Sequence, residues 1–288
     1  MPITLEELLD VEQLGDDVYR AHTPPDTNRP DIFGGQVASQ ALSAAARTVG
    51  NGHVPNSVHC YFLRRGQPEL PIDLHVERTR GGRTYTSRRI DARQDGKSIF
   101  SMLASFHGAE PGVERELPMP AGAGHPDDWQ EGVGRSGGPP WHMPFEMRDA
   151  GGEDFDVRYW ARVTPFPADP VLHCCALLYV SDMRAGSPAI QVSGVPTFDQ
   201  LDAEGGAPMP SRDAANMGSL DHALWFHATP QVDEWFFCEV RPLTVRDSRG
   251  LVLGTMHDAA GHHLATFAQE MFMKVGPSGG AGPAPPVI

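Results

Sequence analysis

Residues 31–47 read DIFGGQVASQALSAAAR, and the rest of the chain is interpreted around this stretch. Between Asp31 and Arg47 no residue is charged, and apolar residues recur at helical spacing. The other faces carry only Ala, Ser and Gln, and a helix without a charged face is usually buried. The stretch therefore predicts a buried helix with a sheet wrapped around it, although an ordinary core helix with a flexible start fits the same residues equally well.

Composition restricts the class of protein. The 288 residues are 40% hydrophobic and 21% charged, which is typical of a globular protein with a substantial core. The net charge of −14 argues against nucleic acid as a partner. The longest apolar run, 171–180, is far shorter than the roughly 20 residues that a membrane-spanning helix needs. The acidic start, MPITLEELLDVEQ, predicts no signal peptide, and four cysteines without metal or redox spacing predict a reducing cytoplasm.

Strand-like segments surround two helix-like segments. The predicted short elements at the start are a helix over 5–11 and a strand over 17–22. Asp169-Pro170 predicts a second long helix, because Asp is a good N-cap and Pro is favoured at the first helical position. Asp95-Gly96 predicts one hairpin and Ala259-Ala260-Gly261 another. The predicted strands are 57–64, 71–78, 83–93, 97–107, 155–163, 219–228, 235–244, 251–258 and 262–274.

The two halves of the chain repeat each other. Gly96, Ile99 and Ser101 of the first hairpin correspond at a constant offset to Gly261, Leu264 and Thr266, and His59 in VHCYF resembles His222 in DHALW. This predicts an internal duplication of one α+β unit, a helix wrapped by an antiparallel sheet. The predicted units are repeats at 1–110 and 155–275, a Gly/Pro-rich linker at 111–154 and a disordered tail at 276–288. The long connection 183–218 is predicted to be a functional lid or disordered.

Four motifs resemble the acyl-CoA thioesterase II family. They are FGGQ at 33–36, YFLR at 61–64, FSMLASF at 100–106 and SLDHALWFH at 219–227. The resemblance covers nearly all of the chain except the linker, the 183–218 connection and the tail. It implies a double hotdog fold that hydrolyses fatty acyl-CoA to free acid and CoA without a metal or organic cofactor, as a homodimer or higher homo-oligomer. It also implies a water-activating trio of Asp, Ser or Thr, and Gln, and the matching positions are Asp182, Ser219 and Gln269.

Each member of this trio has an ordinary structural alternative. Asp182 follows an uncharged helix, where a carboxylate opposes the helix dipole, and it could be a solvated helix end with Arg184 as counter-ion. Gln269 shares a strand face with Phe267 and Met271, so its amide needs partners and could simply make a structural hydrogen bond. Ser219 could be a turn residue at a strand start.

Substrate contacts are predicted at two further places. Gly34 and Gly35 stand at a helix start, where free backbone N–H groups could stabilise a developing oxyanion. Arg88, Arg89 and Arg93 belong to a basic segment that could hold the phosphates of CoA, because arginine suits bidentate phosphate contacts. Alternate arginines on a solvated sheet face are the simpler interpretation of the same segment.

Other hydrolytic centres fit less well. The sequence has no G-x-S-x-G nucleophile elbow, and strand alternation predicts that His222 faces away from Ser219 and Asp221, which excludes a Ser-His-Asp triad. A hotdog enoyl-CoA hydratase would need an Asp/His pair converging on one pocket, and no predicted helix carries one. A non-catalytic acyl-CoA-binding protein is the other alternative. Three histidines near the second hairpin are predicted to be exposed turn residues rather than metal ligands. These are His257, His262 and His263.

Overall fold

The computed structural model describes residues 4–24, 31–50, 52–116, 118–129, 145–152, 155–193 and 215–275. Its helices are α1 (Leu5–Leu9), α2 (Gly34–Ala46), α3 (Pro170–Met183) and α4 (Ser187–Ser193), with one 3-10 turn at Pro126–Asp128. Its strands are β1 (Glu12–Gly15), β2 (Val18–Ala21), β3 (His53–Phe62), β4 (Ile72–Arg80), β5 (Tyr85–Gln94), β6 (Lys97–Gly108), β7 (Glu146–Asp149), β8 (Val157–Arg162), β9 (Ala215–Ser219), β10 (Asp221–Phe226), β11 (Phe236–Arg246), β12 (Arg249–Asp258) and β13 (His263–Val275). None of the helices in these ranges is long and apolar enough to cross a membrane.

The strands form one antiparallel sheet whose order is mirrored about its centre. The order is β1-β2-β4-β5-β6-β3-β10-β13-β12-β11-β8-β7, and β9 pairs with β13 beside this path. Read from either edge towards the middle, the connectivity is the same on both sides. β3 and β10 meet at the centre, where Ala223 lies opposite His59. The sheet is therefore continuous between the two halves of the chain.

Helix α2 is buried on every side, as its uncharged sequence predicts. All residues from Gly35 to Ala45 are buried. The helix packs against α3, where the Ser39 hydroxyl donates a 2.8 Å hydrogen bond to the carbonyl of Cys175. At Gly35 an added Cβ would lie 2.8 Å from the Tyr179 carbonyl oxygen, so only glycine allows this approach of the two helix backbones.

Helix α3 begins where the sequence predicts. The Asp169 carboxylate accepts a 2.8 Å hydrogen bond from the Val171 N–H, and Pro170 occupies the first turn. Every residue from His173 to Asp182 is buried, as expected for a helix in the core. The four cysteines are free and buried. Burial raises the pKa of the Cys238 thiol to about 12, so this group stays protonated.

Both predicted hairpins are present. Asp95 and Gly96 have φ of 47° and 73°, the pair of positive values that a type I′ turn requires. Gly261 has a φ of 95° in the turn between β12 and β13. These turns set the register of β5 with β6 and of β12 with β13.

The predicted linker is partly built into the fold. Strand β7 pairs with β8, and the indole N–H groups of Trp129 and Trp160 both donate to the carbonyl of Ala123 at 2.9 and 3.0 Å. Ala123 and Trp160 also form a second small core with Ala150 and Phe237. Part of the predicted linker at 111–154 therefore contributes to a core, because Ala123, Ala150 and Trp129 cover the outer face of the sheet. Residues 130–144, 194–214 and the tail lie outside the described residues.

Candidate functional site

The three predicted catalytic side chains meet. Asp182 lies in the last turn of α3, Ser219 ends β9 and Gln269 lies within β13. The Ser219 hydroxyl donates to Asp182 Oδ1 at 3.3 Å, and Gln269 Nε2 donates to Ser219 Oγ at 2.7 Å. Asp182 and Gln269 are only 9% and 2% exposed. Three polar groups from separate elements therefore form one largely buried cluster, here called the polar trio.

A β-bulge directs these side chains to the same point. Ser219 lies opposite Met271, whereas Ala223 lies opposite Ala268, so two residues face only Glu270 on β13. The bulge adds one residue to the chain between β9 and β10, so the side chains that follow it lie on the opposite faces from those that strict alternation predicts. Its unpaired backbone is satisfied locally, since the Glu270 N–H donates to the Asp221 side chain at 2.9 Å.

The bulge also brings His222 to the inner face, beside Gln269. His222 Nδ1 lies 2.6 Å from Gln269 Oε1, and only 1% of the residue is exposed. The prediction that His222 faces away from Ser219 is wrong, because strict alternation fails at a bulge. A Ser-His-Asp triad still does not form from the described contacts, since Gln269 lies between His222 and Ser219.

The sequence match of His59 with His222 does not place the two side chains on the same face of the sheet. His59 is exposed on the outer face of β3, where its ring meets that of Trp225 edge-on at 5.1 Å. In the two matched hairpins, Ile99 and Leu264 are both buried. The two motifs are thus similar in sequence, but their histidines lie on opposite faces of the sheet.

The hydrogen bonds continue beyond the trio into the core. His222 Nε2 lies 2.8 Å from Ser181 Oγ, and the Ser181 hydroxyl is also 2.8 Å from the carbonyl of Leu178. Burial lowers the pKa of His222, an effect that the nearby Asp182 charge partly opposes. Sequence reasoning missed both Ser181 and His222. The available signal was a serine directly before Asp182 in an otherwise apolar helix.

The two glycines of α2 have different surroundings. An added Cβ at Gly34 would lie 2.9 Å from Asp182 Oδ2 and 2.7 Å from the Phe62 ring. The first turn of α2 therefore lies beside the trio, although it comes from the other half of the chain. Gly35 instead faces α3, at the helix crossing described above. Of the two predicted oxyanion donors, the geometry favours Gly34.

The three predicted phosphate-binding arginines do not converge. Arg88 is 5% exposed and donates to the side chain and carbonyl of Thr48 at 2.6 and 2.7 Å, so it stabilises the chain after α2. Its interpretation as a substrate contact is wrong, because its guanidinium is committed within the fold. Arg89 and Arg93 are exposed and face carboxylates on their own sheet surface.

Another arginine of the basic segment reaches the trio's strand. Arg65 pairs with Asp31, just before α2, and its guanidinium lies 3.5 Å from the carbonyl of Met217 on β9. Arg184, the suggested counter-ion of Asp182, lies instead 3.8 Å from Asp149. Neither contact neutralises Asp182 directly.

The histidines near the second hairpin are mostly buried. His257 and His263 are 1% and 9% exposed, and their rings stack with centroids 4.6 Å apart. Only His262 is exposed, paired with Asp258. The prediction that all three are exposed turn residues is therefore wrong, because His257 and His263 are paired with each other within β12 and β13 and are buried there.

The antiparallel sheet and its enclosed helices define a hotdog fold. A protein of unknown function with a hot dog fold from Alicyclobacillus acidocaldarius has a similar structure, with a TM-score of 0.74, 19% identity and coverage of 94% of this chain and 98% of its own. Family models described as the acyl-CoA thioesterase N-terminal and C-terminal domains match residues 23–107 and 115–273.

Two further comparisons extend over nearly the whole chain. The acyl-CoA thioesterase II TesB2 of Mycobacterium marinum is 35% identical, with a TM-score of 0.77 over 96% of this chain and 100% of its own. Acyl-coenzyme A thioesterase 8 of Rattus norvegicus is 30% identical over 93% of this chain and 88% of its own. The chain belongs to the acyl-CoA thioesterase II family.

Proposed function

We propose that Asp182, Ser219 and Gln269 hold and activate the water with which this chain hydrolyses acyl-CoA thioesters. The chain is an acyl-CoA thioester hydrolase, in keeping with its family and relatives. The observation that carries the proposal is the contact of these three side chains, at 3.3 and 2.7 Å, in a largely buried cluster. A carboxylate next to two hydrogen-bonding side chains is what a general base for water requires.

The direction of each hydrogen bond assigns a role to each residue. An ionised carboxylate only accepts, so the Ser219 hydroxyl must donate its single hydrogen to Asp182. The serine oxygen then accepts from the Gln269 amide at 2.7 Å. With its hydrogen committed, Ser219 orients the carboxylate and is not the nucleophile. Gln269 has a second amide hydrogen, which donates to the substrate carbonyl. Asp182 has a second oxygen, Oδ2, which accepts a hydrogen bond from the water.

The reaction then proceeds by direct attack of water. Asp182 takes a proton from the water, whose oxygen attacks the thioester carbonyl carbon. Negative charge develops on the carbonyl oxygen, and the first turn of α2 at Gly34 and the Gln269 amide are the proposed donors to it. The start of a helix carries a partial positive charge, which favours this anion. Collapse releases the CoA thiolate, which takes up the proton held by Asp182.

The contacts of His222 bear on the rival hydratase reaction. Asp182 and His222 do lie in one region, which the sequence did not suggest. However, His222 is buried and both of its ring nitrogens face protein partners, Gln269 and Ser181. It therefore cannot present a nitrogen to an enoyl-CoA without breaking these contacts. This geometry favours hydrolysis over hydration.

A thioester-release assay across acyl chain lengths tests the function. The folded protein should release CoA and free acid in equal amounts, with a maximum at one range of fatty acyl chain length. Binding of acyl-CoA without release would support the alternative of a non-catalytic binding protein. Formation of a hydroxyacyl-CoA from an enoyl-CoA would support the hydratase.

We propose that the fold is a double hotdog built from an internal repeat, with units 1–110 and 155–275, a connection at 111–154 and a tail at 276–288. The support is the mirrored strand order, in which β2-β4-β5-β6-β3 corresponds to β8-β11-β12-β13-β10. α2 and α3 occupy matching positions in the two units. Failure of the two units to superpose in an experimental structure would contradict this assignment.

A homodimer or higher homo-oligomer is also proposed. Its support is the exposed outer face near the centre of the sheet, where Tyr61, Leu103 and Trp225 are 60%, 51% and 38% exposed. Sedimentation analysis of the wild-type chain and of Trp225→Glu tests it, and a monomeric wild type would contradict it. Four buried, free cysteines support a reducing compartment such as the cytoplasm. Arg89 and Arg93 stay predicted contacts for the CoA phosphates.

A further inference from the structure

We infer that His222 is a positioning residue that fixes the amide orientation of Gln269, and that the Ser181 hydroxyl supports the tautomer of His222 that does so, by donating to Nε2. The inference rests on the proposed function, because Gln269 belongs to the proposed trio. It concerns groups behind the trio, since His222 contacts Gln269 and Ser181 but not the reacting atoms. The five side chains form one line of contacts: Asp182, Ser219, Gln269, His222 and Ser181.

An amide side chain can be turned by 180° with little change of shape, so the hydrogen-bond partners determine which position the oxygen occupies and which the nitrogen occupies. In one orientation Gln269 donates to Ser219 and accepts from His222. In the other it would offer its oxygen to Ser219 and donate to His222. Ser219 already gives its hydrogen to Asp182 and needs a donor, so the first orientation satisfies every group.

This orientation requires a hydrogen on Nδ1 of His222. Gln269 Oε1 is only an acceptor, and it lies 2.6 Å from Nδ1. In neutral His222, Nε2 then carries no hydrogen and must accept one, and the Ser181 hydroxyl at 2.8 Å supplies it. Because His222 is 1% exposed, water cannot readily replace either partner. The ring itself is held by stacking on Phe267, with centroids 5.4 Å apart.

Ser181 also allows this arrangement to survive protonation. Its oxygen is 2.8 Å from the carbonyl of Leu178, so the hydroxyl can turn from His222 to that carbonyl. An imidazolium at 222 would then donate from Nε2 to Ser181 and from Nδ1 to Gln269. The hydrogen on Nδ1 is present in both states, and Gln269 keeps its orientation.

The direct test is nitrogen NMR of the full chain labelled with ¹⁵N-histidine, near neutral pH. The His222 signals are assigned by their loss in His222→Phe. The inference expects a neutral ring with hydrogen on Nδ1. A neutral ring with hydrogen on Nε2 would overturn it, whatever the activities are. In Ser181→Ala the Nδ1–H form should lose population, whereas Ser181→Thr, which restores a hydroxyl, should recover it.

The kinetic test compares two variants of His222. Phe keeps the stacking on Phe267 but cannot donate, so kcat should fall by about 10–100-fold with KM nearly unchanged, the usual scale for loss of an outer orienting partner. Asn places an N–H near the position of Nδ1, so His222→Asn should recover most of kcat. His262→Asn, at an exposed histidine, is the control and should match the wild type. Equal kcat for His222→Phe and the wild type would overturn the inference.

The two proposals fail in different ways. If Asp182→Asn remains fully active while the Nδ1–H tautomer is observed, the proposed function fails and the His222–Gln269 pairing stands. If Asp182→Asn is inactive while His222→Phe is fully active, only the positioning role fails.

Discussion

Replacement of Asp182 by Asn separates catalysis from structure at the proposed site. Asn keeps the shape of the side chain, and its Oδ1 can still accept the Ser219 hydroxyl, which lies 3.3 Å away. What is lost is the basic carboxylate. Loss of a general base typically lowers rates by about 10²–10⁴-fold. That corresponds to about 3–5 kcal/mol of transition-state stabilisation, so kcat should fall in this range with a small change in KM.

The assay follows thiol release from acyl-CoA, alongside thermal unfolding of each variant. Asp221→Asn is the matched control, because it removes a carboxylate at the neighbouring bulge while keeping an acceptor for the Glu270 N–H. Its kcat should stay close to that of the wild type. Asp182→Asn should unfold at or above the wild-type temperature, since it removes a buried charge. Full activity of Asp182→Asn, or its failure to fold, would refute the reasoning.

Three further outcomes are expected. Ser219→Ala and Gln269→Ala should each lower kcat less than Asp182→Asn, and the double variant should cost less than the product of the two, because both belong to one hydrogen-bonded chain that orients the Asp182 carboxylate; strictly multiplicative effects would contradict a shared role. Gly35→Ala should lower the free energy of unfolding by about 1–3 kcal/mol, since its Cβ would meet the Tyr179 carbonyl; an unchanged denaturant midpoint would be the opposing result. Burial lowers the pKa of His222 below 6.5, so the unfolded chain binds a proton that the folded chain does not, and the free energy of unfolding should fall as the pH drops below about 6.5. In His222→Asn the free energy of unfolding should depend less steeply on pH, and an equal dependence would count against this pKa shift.

The parts of the fold set by local chemistry were predictable. An uncharged helix of small residues is usually buried, and α2 is buried from Gly35 to Ala45. Asp169-Pro170 began a helix because its capping chemistry is local, and Asp95-Gly96 formed a hairpin because few residues tolerate positive φ. These features depend on a few neighbouring residues, which the sequence displays directly.

The contact of the three candidate side chains was predictable, but their surroundings were not. The family resemblance identified Asp182, Ser219 and Gln269, and the structure brings them together. Strict strand alternation then misplaced His222, because a bulge adds one residue and reverses every face beyond it. A bulge depends on the partner strand, so nothing within residues 219–222 announces it.

The charged residues were the least predictable. Arg88, Arg89 and Arg93 look alike in the sequence. Arg88 is nevertheless buried and donates to the Thr48 carbonyl just after α2, whereas Arg89 and Arg93 are exposed. Gly34, in contrast to Arg88, lies beside the polar trio, although it comes from the other half of the chain. Both outcomes depend on how α2 packs against distant elements, which spacing along the chain does not encode.

A single turnover in H₂¹⁸O, with enzyme in excess over acyl-CoA, distinguishes attack by water from attack by the Asp182 carboxylate. If Asp182 activates water for direct attack on the thioester, the released fatty acid carries one ¹⁸O and the peptide that contains Asp182 carries none. If the carboxylate attacked the thioester itself, water could open the resulting anhydride at the aspartyl carbon. Label in the Asp182 peptide, or a fatty acid without label, would contradict the account.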